Sequence, residues 1–291
     1  MRLTRRLWRD IPVWGLVMPS LFLFIVFSWQ PLVSGLYLSF FKTKGYSAER
    51  FVGWQNYIEV LQNSEFRQTL LNTFLYVGWS LVIGFLLPIF IAIVINEMSH
   101  LKSWFKFAVY FPVIVPGIAA AMMWMFIFDP GEGGLLNLLL NRIGLGPLSW
   151  LQNPHMSIPL IVITMTWKSF GGSVILYLAS LQGVNRELYE AASLDGAGIR
   201  QRLWNITIPQ ISSIIGIMFI LQIISVFQVM YEPLTMTEGG PSNSSMSLML
   251  QSYFYAFRYF DAGKSMTVGS MTFVVLLALT FVYYKINRRA E

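Results

Sequence analysis

Few residues in this chain could do chemistry, and none forms a catalytic set. The sequence has no cysteine, and its two histidines, His100 and His155, fall in different polar segments. This disfavours disulfides, thiol catalysis and a histidine-rich metal site. The stretch Ala262-Gly263-Lys264-Ser265 ends like a phosphate-binding loop, but Arg258 stands where that loop needs its first glycine. The residues therefore predict a protein that is not an enzyme and that holds no cofactor or metal of its own.

Four polar residues interrupt long apolar runs, where a function other than catalysis would place them. Gln222, Ser225 and Gln228 lie three apart and form one polar stripe on a helix that is otherwise apolar. Lys168 lies well inside another apolar run, where its charge costs about 2.5–3.5 kcal/mol unless it snorkels, meets a backbone partner or faces a cavity. Such groups either bridge neighbouring helices or line a substrate path, and the sequence leaves both interpretations open.

A polar stretch over residues 185–207 lies between two apolar runs, so it is predicted to fold outside the membrane. Asn185 can cap a first helix. Ala191 and Ala192 place two small side chains on one face of that helix. Gly196 can take the positive φ that ends a helix, which a residue with a side chain resists. The pattern predicts a helix-turn-helix elbow held at the membrane surface.

The second half of this elbow leads back into the membrane. Leu203 and Trp204 are predicted to be the apolar anchors of a second short helix. Pro209 suits the first turn of the membrane helix that follows, because no amide hydrogen is needed there. The elbow is thus expected to be stiff and tied to a span.

The elements that must position these residues are membrane spans. Of 291 residues, 55% are hydrophobic and only 12% are charged, against about a quarter charged in a soluble domain. With ~20 residues needed per span, the apolar runs predict an all-α polytopic protein, one transmembrane domain over residues 1–291. Pro112, Pro116 and Gly117 should kink the third span. The six predicted spans are 14–38, 70–95, 108–128, 158–181, 208–231 and 267–284.

Three polar segments are predicted on the side opposite the elbow. Residues 42–68 form a loop that includes a short amphipathic helix, and residues 129–155 begin with a turn rich in glycine. Residues 232–266 form a long loop with a Gly-Gly-Pro turn.

The distribution of basic residues sets the predicted orientation. Twelve of the 20 Lys and Arg residues fall on the side of the N-terminus and the elbow, and seven fall on the other side. The positive-inside rule therefore places both termini and the elbow in the cytoplasm. The formal net charge of +6 is accordingly a topology signal, and no nucleic-acid partner is predicted.

The elbow resembles the signature loop of the membrane subunits, or permeases, of ABC importers. Glu190-Ala191-Ala192, Gly196, Ile206 and Pro209 match that pattern in register, and Ile208 replaces the usual leucine. The resemblance extends over nearly the whole chain. It implies the architecture of a type I ABC-importer permease with six transmembrane helices.

Two further stretches resemble the carbohydrate-uptake branch in particular. They are Asp195-Gly196-Ala197 and the segment over residues 236–241, Met-Thr-Glu-Gly-Gly-Pro. This branch includes the membrane subunits of maltose and glycerol phosphate importers. The resemblance implies import of sugars or oligosaccharides, with another small polar solute such as glycerol phosphate as the alternative. An ion-coupled secondary transporter is a less favoured alternative, because it would leave the elbow unexplained.

The resemblance also implies roles and partners. The elbow residues expected to dock on an ATPase subunit are Glu190, Ala191, Ala192, Asp195 and Gly196. The residues expected to anchor the loop to the next span are Ile206, Ile208 and Pro209. The implied partners are a second homologous permease, two ATPase subunits that bind ATP and magnesium, and an extracytoplasmic solute-binding protein. The expected location is the bacterial cytoplasmic membrane, and the expected mechanism is alternating access.

Overall fold

The computed structural model describes residues 14–287, most of which are helical. π-helical turns occur inside α1 (Ile25–Trp29) and inside α3 (Leu81–Phe85). The helices within the described residues are α1 (Trp14–Leu38), α2 (Gln55–Gln62), α3 (Ser64–Glu97), α4 (Lys102–Ile114), α5 (Gly117–Ile127), α6 (Leu135–Arg142), α7 (Ser157–Gln182), α8 (Arg186–Leu194), α9 (Ile199–Arg202), α10 (Ser212–Phe227), α11 (Tyr231–Met236), α12 (Leu248–Phe257) and α13 (Ala262–Asn287). Two short strands, β1 (Phe41–Lys44) and β2 (Ser47–Phe51), pair as an antiparallel hairpin between α1 and α2.

Five helical segments of the described chain are long and apolar enough to cross a membrane, by length and composition. They are α1, α3, α7, the stretch Ser212–Met236 that contains α10 and α11, and α13. The pair α4 and α5 makes a sixth if the two helices count as one span. This count agrees with the all-α, six-span prediction, to which the hairpin is a minor addition.

The third span is broken rather than kinked. Helices α4 and α5 meet at an angle of 99°, with Val115 extended at φ −62° and ψ 130°. The residue before a proline is sterically disfavoured in the helical conformation, and Pro116 offers no amide hydrogen to continue α4. The kink predicted at Pro116 and Gly117 is thus a sharp break, and the helix before it begins at Lys102 instead of residue 108.

Two other span boundaries differ from the prediction. Helix α3 begins at Ser64 instead of residue 70, because Asn63 caps it by accepting a hydrogen bond from the Glu65 amide at 2.8 Å. At the other end of the chain, α13 begins at Ala262 instead of residue 267. The polar residues at these helix starts hid the boundaries from a hydropathy-based prediction.

The described residues divide into two compact units. One unit comprises residues up to 62 together with 252–274, and the other comprises 63–251 together with 275 onward. In the first unit, the buried Asn56 amide donates hydrogen bonds to the carbonyls of Ser39 (2.9 Å) and Phe41 (2.8 Å). A side chain at Gly263 would clash with the Phe41 carbonyl, so only glycine allows the hairpin to lie against the start of α13.

An ion pair reinforces the same corner of the first unit. Lys264 Nζ lies 2.9 Å from the Glu59 carboxylate and 3.9 Å from that of Asp261. The Ala262-Gly263-Lys264-Ser265 stretch, which resembles the end of a phosphate-binding loop, thus forms the first turn of α13. Its lysine holds α2 against that turn and is already paired with carboxylates.

The second unit contains two clusters of buried apolar residues. One cluster centres on Tyr76, Ile161 and Phe128 and joins α3, α5 and α7. The other centres on Tyr177 and Ile95 and joins the later half of α3 to the later half of α7. Helix α7 contributes to both clusters, so it is the central helix of this unit.

The outer segment over residues 232–266 was predicted as a long loop, and this prediction was wrong. It contains α11, α12 and the start of α13. In the second unit, the Asn72 amide donates to the carbonyls of Asn243 (2.7 Å) and Met246 (3.1 Å), and the Tyr76 hydroxyl donates to that of Ser245 (2.9 Å). Residues 244–248 are buried, so much of the segment belongs to the core.

The glycine-rich outer turn is organised around Asn137, which is fully buried at the start of α6. Its amide nitrogen donates to the carbonyls of Asp129 (3.2 Å), Pro130 (3.1 Å) and Leu148 (3.1 Å). Its amide oxygen accepts from the Trp150 indole at 2.9 Å. The Asn137 side chain therefore hydrogen-bonds to both ends of the turn-rich segment over residues 129–150, which has no strand and little helix.

A substitution at Gly171 tests the close approach of α7 to α4. A side chain there would clash with the Val109 carbonyl, whereas one at Gly172 would meet nothing within 4 Å. We expect Gly171→Ala to lower the free energy of unfolding by about 1–3 kcal/mol, as overpacking does. Gly172→Ala, the matched control on the same helix, should not lower it. Thermal unfolding in detergent measures both, and equal midpoints for the two variants would contradict the packing described here.

The Glu59–Lys264 pair predicts a pH dependence. The hydrogen bond from Lys264 holds the pKa of the Glu59 carboxyl below its usual value. Its contribution to stability is therefore complete above the unfolded pKa of about 4.3, and it is lost as the pH falls through the lower, folded pKa. Because the Glu59 side chain is 41% exposed, Glu59→Gln should cost only about 0.2–1 kcal/mol at neutral pH.

Unfolding midpoints at neutral and strongly acidic pH measure this effect. The difference between the unmodified protein and Glu59→Gln should vanish at the acidic end, since both side chains are then neutral. Glu65→Gln is the control, because Glu65 is exposed at the start of α3. If the unfolding midpoints of Glu59→Gln and the unmodified protein differ by the same amount at both pH values, the ion pair is not the source of the difference.

Candidate functional site

The elbow begins with a capped helix. The side-chain oxygen of Asn185 accepts a hydrogen bond from the Glu187 amide at 3.0 Å, and α8 follows from Arg186 to Leu194. Glu187 in the first turn is favourable, because a negative charge there complements the positive end of the helix dipole. The local sequence alone is therefore enough to start this helix.

The turn after α8 is a Schellman motif built on glycine. Gly196 has φ +75°, the left-handed conformation that a side chain disfavours. Its amide donates to the Ser193 carbonyl at 3.1 Å, and the Ala197 amide donates to the Ala192 carbonyl at 2.8 Å. These two hydrogen bonds satisfy carbonyls at the helix end and fix the direction in which the chain leaves.

The return arm is a continuous helical stretch with three parts. Helix α9 is followed by a π-helical turn, Leu203–Thr207, and by a short segment, Ile208–Gln210. Pro209 was predicted in the first turn of the next span. It lies instead in that short segment, one turn before α10 begins at Ser212. Ile206 and Ile208 are half-buried, and Pro209 is exposed.

Two side-chain hydrogen bonds tie the two arms of the elbow together. The hydroxyl groups of Tyr189 and Thr207 lie 3.0 Å apart. The Arg202 guanidinium donates to the Ser193 hydroxyl at 3.1 Å. Tyr189 and Ile206 also pack against the cluster around Tyr177 and Ile95. A displacement of the elbow would therefore be passed to the core of the second unit.

The tip of the elbow is exposed and partly apolar. Glu190, Ala191, Asp195 and Gly196 are exposed, and Ala192 is half-buried. The side chains of Leu194 and Ile199, on either side of the turn, are 90% and 77% exposed. An apolar patch outside the membrane spans is typical of a surface that a partner covers.

Leu194 and Ile199 were not among the predicted docking residues, and Trp204 lies in a different environment from the one predicted. The signal for the first two was available, because both are apolar and flank the predicted turn. Trp204 was predicted to be an anchor, but its side chain is 61% exposed. Leu203 is half-buried, so the prediction of apolar anchors holds for one of the two residues.

The polar stripe of the fifth span has two parts with different surroundings. Gln222 is half-buried, and its amide fills the space left by Gly84 of α3, near the Thr166 hydroxyl of α7. Ser225 is exposed, and Gln228 is exposed one residue beyond the end of α10. Gln222 therefore contacts neighbouring helices, whereas the other two residues point away from the chain.

Lys168 is held by the break in the third span. Its ammonium group donates to the Val113 carbonyl at 3.1 Å. Because α4 ends at Ile114, that carbonyl lacks the amide partner that a continuing helix would supply. The negative end of the α4 dipole adds to the attraction. A backbone partner is thus the explanation that the structure supports for this charge.

Glu232 is an intramembrane acid that sequence analysis placed in an outer loop. It lies half-buried in α11, which continues the fifth span. It interacts electrostatically with Lys168, although no ion pair joins them within the described residues. The apolar residues on both sides of Glu232 could have extended the predicted span to include it.

Two aromatic side chains of the same region have unused polar atoms. The Trp124 indole nitrogen and the Tyr231 hydroxyl are buried, and neither has a hydrogen-bond partner in the described part of the chain. Trp124 stacks edge-on with Trp167 at 6.0 Å, and Tyr231 packs on Gly117 at the start of α5. Helices α5, α7 and α11 thus pack aromatic side chains against one another, and two of their buried polar atoms are left without a partner.

Comparisons with known proteins agree on one family. Residues 84–291 match the family described as binding-protein-dependent transport system inner membrane component. A probable ABC transporter permease protein of Bacillus subtilis, YurN, is 32% identical over 92% of this chain and 95% of its own length. The trehalose/maltose transport system permease protein MalF of Thermococcus litoralis is 31% identical over 94% and 92%.

A solved structure has the same fold. A bacterial alginate ABC transporter, solved in complex with an alginate pentasaccharide-bound periplasmic protein, contains a chain with a TM-score of 0.89. The match is 25% identical and covers 100% of this chain and 98% of the other. The chain therefore belongs to the family of membrane-spanning permease subunits of binding-protein-dependent transport systems.

Proposed function

We propose that this chain works in an ATP-driven importer of sugars or oligosaccharides and that its elbow receives the motion of a separate ATPase subunit. The observation that carries this proposal is the exposed tip of a braced helix-turn-helix outside the spans. Leu194 and Ile199 offer apolar area, and Glu190 and Asp195 offer charge beside it. Glu190, Ala191, Ala192, Asp195 and Gly196 form the docking surface together with these two apolar residues.

The elbow can transmit force because its two arms are joined. A push on the Gly196 turn moves α8 and the return arm as one body, since Tyr189 bonds Thr207 and Arg202 bonds Ser193. Ile206, Ile208 and Pro209 connect that body to α10. Closure of two ATPases would draw two such elbows together and turn the cavity outward, and ATP hydrolysis would reset it.

The proposal requires several partners. ATP and magnesium would bind in two ATPase subunits on the cytoplasmic side, where we place both termini and the elbow. A second homologous permease would face the exposed Ser225 and Gln228 and complete the substrate path with Lys168 and Gln222. A solute-binding protein would deliver cargo from outside a bacterial cytoplasmic membrane.

The names of the relatives support a carbohydrate cargo. They include an arabinooligosaccharides permease protein of Bacillus subtilis, AraP, which is 29% identical over 96% of this chain. Trp124 and Tyr231 are half-buried aromatic side chains, and aromatic faces of this kind pack against sugar rings. Lys168 and Glu232 would add charged donors and acceptors to the same path.

Glycerol phosphate is the second candidate cargo. The sn-glycerol-3-phosphate permease protein UgpA of Pectobacterium atrosepticum is 27% identical over 94% of this chain. Lys168 could pair with a phosphate, but its ammonium group already donates to the Val113 carbonyl. An uncharged cargo is therefore favoured.

Two glycines of the elbow allow a matched test of coupling. Gly196 has φ +75°, so alanine there is strained by about 1–2 kcal/mol. Proline cannot adopt that φ at all and removes the amide that donates to Ser193. Gly198 has φ −68°, which alanine accepts. We expect Gly196→Ala to weaken, and Gly196→Pro to abolish, binding-protein-stimulated ATP hydrolysis and sugar uptake in lipid, while Gly198→Ala leaves both near normal.

Subunit assembly is measured alongside activity, so that a loss of coupling is not confused with a loss of folding. If the Gly196→Pro complex assembles and still shows normal stimulated ATP hydrolysis and sugar uptake, the elbow does not couple the ATPase to transport. If this chain takes up sugar without any ATPase subunit, the ATP-driven importer proposal is wrong and the chain is an ion-coupled carrier. Uptake of labelled glycerol phosphate but not of labelled oligosaccharide would overturn the proposed cargo alone.

A further inference from the structure

A basic cleft lies beside the elbow, apart from its exposed tip. It has a volume of about 590 Å³ and lies between the end of α3, the start of α4, the end of α7 and the two arms of the elbow. Four cationic residues line it, namely Lys102, Lys106, Arg186 and Arg202. Glu97 is the one carboxylate that lines it among the described residues.

The cations of the cleft are largely unused by the protein. Lys102 donates to the Asn96 carbonyl at 2.9 Å, and Arg202 donates to Ser193, so each keeps further donors free. Neither Lys106 nor Arg186 makes a hydrogen bond or an ion pair with another described residue. No ion pair joins Glu97 to any of the four cations in that part of the chain. Because the positive charges in the cleft are not neutralised by the protein, an anion bound there would be electrostatically favoured.

The position of the cleft indicates what kind of anion it would hold. Asn96 and Glu97 end one span, and Leu181 and Gln182 end another, so the cleft opens at the boundary between hydrocarbon and water. Lys106 lies one turn into α4, whose outer face is apolar, as shown by the 61% exposed Trp104 and the 63% exposed Phe107. Apolar faces suit acyl chains, and a basic pocket at the level of span ends suits an acidic headgroup.

We propose that this cleft binds the phosphate group of an anionic phospholipid from the leaflet that faces the elbow. The phosphate would bridge Lys106 of α4 and Arg186 of α8, with Lys102 and Arg202 supplying further charge. Arginine binds phosphate oxygens in a bidentate manner, and lysine adds a point charge. Bound lipid would tie the start of the elbow to the end of α3 and the start of α4.

This site differs from the docking surface in residues and in chemistry. The docking tip is apolar and acidic and lies at the Gly196 turn, whereas the cleft is basic and lies at the base of the elbow. Lipid binding therefore does not depend on which solute is imported. Its effect on ATP hydrolysis would rest on the proposed coupling function, and the binding measurement below does not.

The test uses the assembled transporter in neutral detergent and a fluorescent phosphatidylglycerol as the probe. We expect saturable binding of phosphatidylglycerol in preference to phosphatidylcholine, and binding that weakens as salt is added. A cation near the membrane surface contributes about fivefold in affinity. The double variant Lys106→Gln/Arg186→Gln should therefore bind about 25-fold more weakly.

The matched control is Arg200→Gln/Lys285→Gln, which removes two exposed cations from the same side of the protein but outside the cleft. It should bind the probe as the unmodified protein does. If both double variants lose affinity for the probe equally, binding depends on general surface charge and the proposed site is overturned. Equal affinity for the two lipids would overturn it as well.

Two further arms identify the source of the phosphate. In the first, inorganic phosphate and unlabelled phosphatidylglycerol compete with the fluorescent probe. If inorganic phosphate displaces the probe equally well, the cleft binds a soluble anion and the lipid proposal is overturned. In the second, subunit assembly is measured for Lys106→Gln/Arg186→Gln. If this variant fails to assemble and the unmodified complex shows no lipid preference, the cleft binds acidic residues of the ATPase and the lipid proposal is overturned. Preference for phosphatidylglycerol with normal assembly supports the proposal.

Discussion

The requirement that backbone polar groups within a membrane find partners inside the protein governs this structure. Pro116 breaks the third span, and the Val113 carbonyl is left without a helical partner. Lys168 satisfies that carbonyl from α7, the central helix of the second unit. Gly171, one turn further on, lets α4 come close enough for this bond to form. The break, the lysine and the glycine thus form one solution to one constraint.

The same constraint explains why charge is found at membrane depth at all. A lysine in open lipid would be expensive, but here it completes a broken helix, so its cost is offset by a carbonyl that would otherwise be unsatisfied. Glu232 of α11, which continues the fifth span, is the second charged residue of this region. The two charges, with the unused donors of Trp124 and Tyr231, give the region a polarity that helix packing alone does not require.

Much of the fold follows from the sequence, because span number depends on local hydropathy and the elbow depends on local caps. Asn185 and Gly196 act on their own neighbours, and their effects on the backbone could be read from the chain. The angle at Val115 could not, since a proline motif indicates a bend but its 99° depends on packing against α7. The buried segment around Ser245 was likewise hidden, because its partners Asn72 and Tyr76 are far away in sequence.

The site shows the same division between local and distant causes. Glu190 and Ala191 were predicted to dock from a motif, whereas Leu194 entered the proposed docking surface only through its exposure outside the spans. The basic cleft required both, because Lys106 and Arg186 are far apart in sequence and carry no signal singly. The proposed coupling role requires an element that is rigid in itself and adjustable at its base. The Schellman turn would supply the rigidity, and the proposed lipid phosphate, bound between Lys106 and Arg186, would set the position of the base.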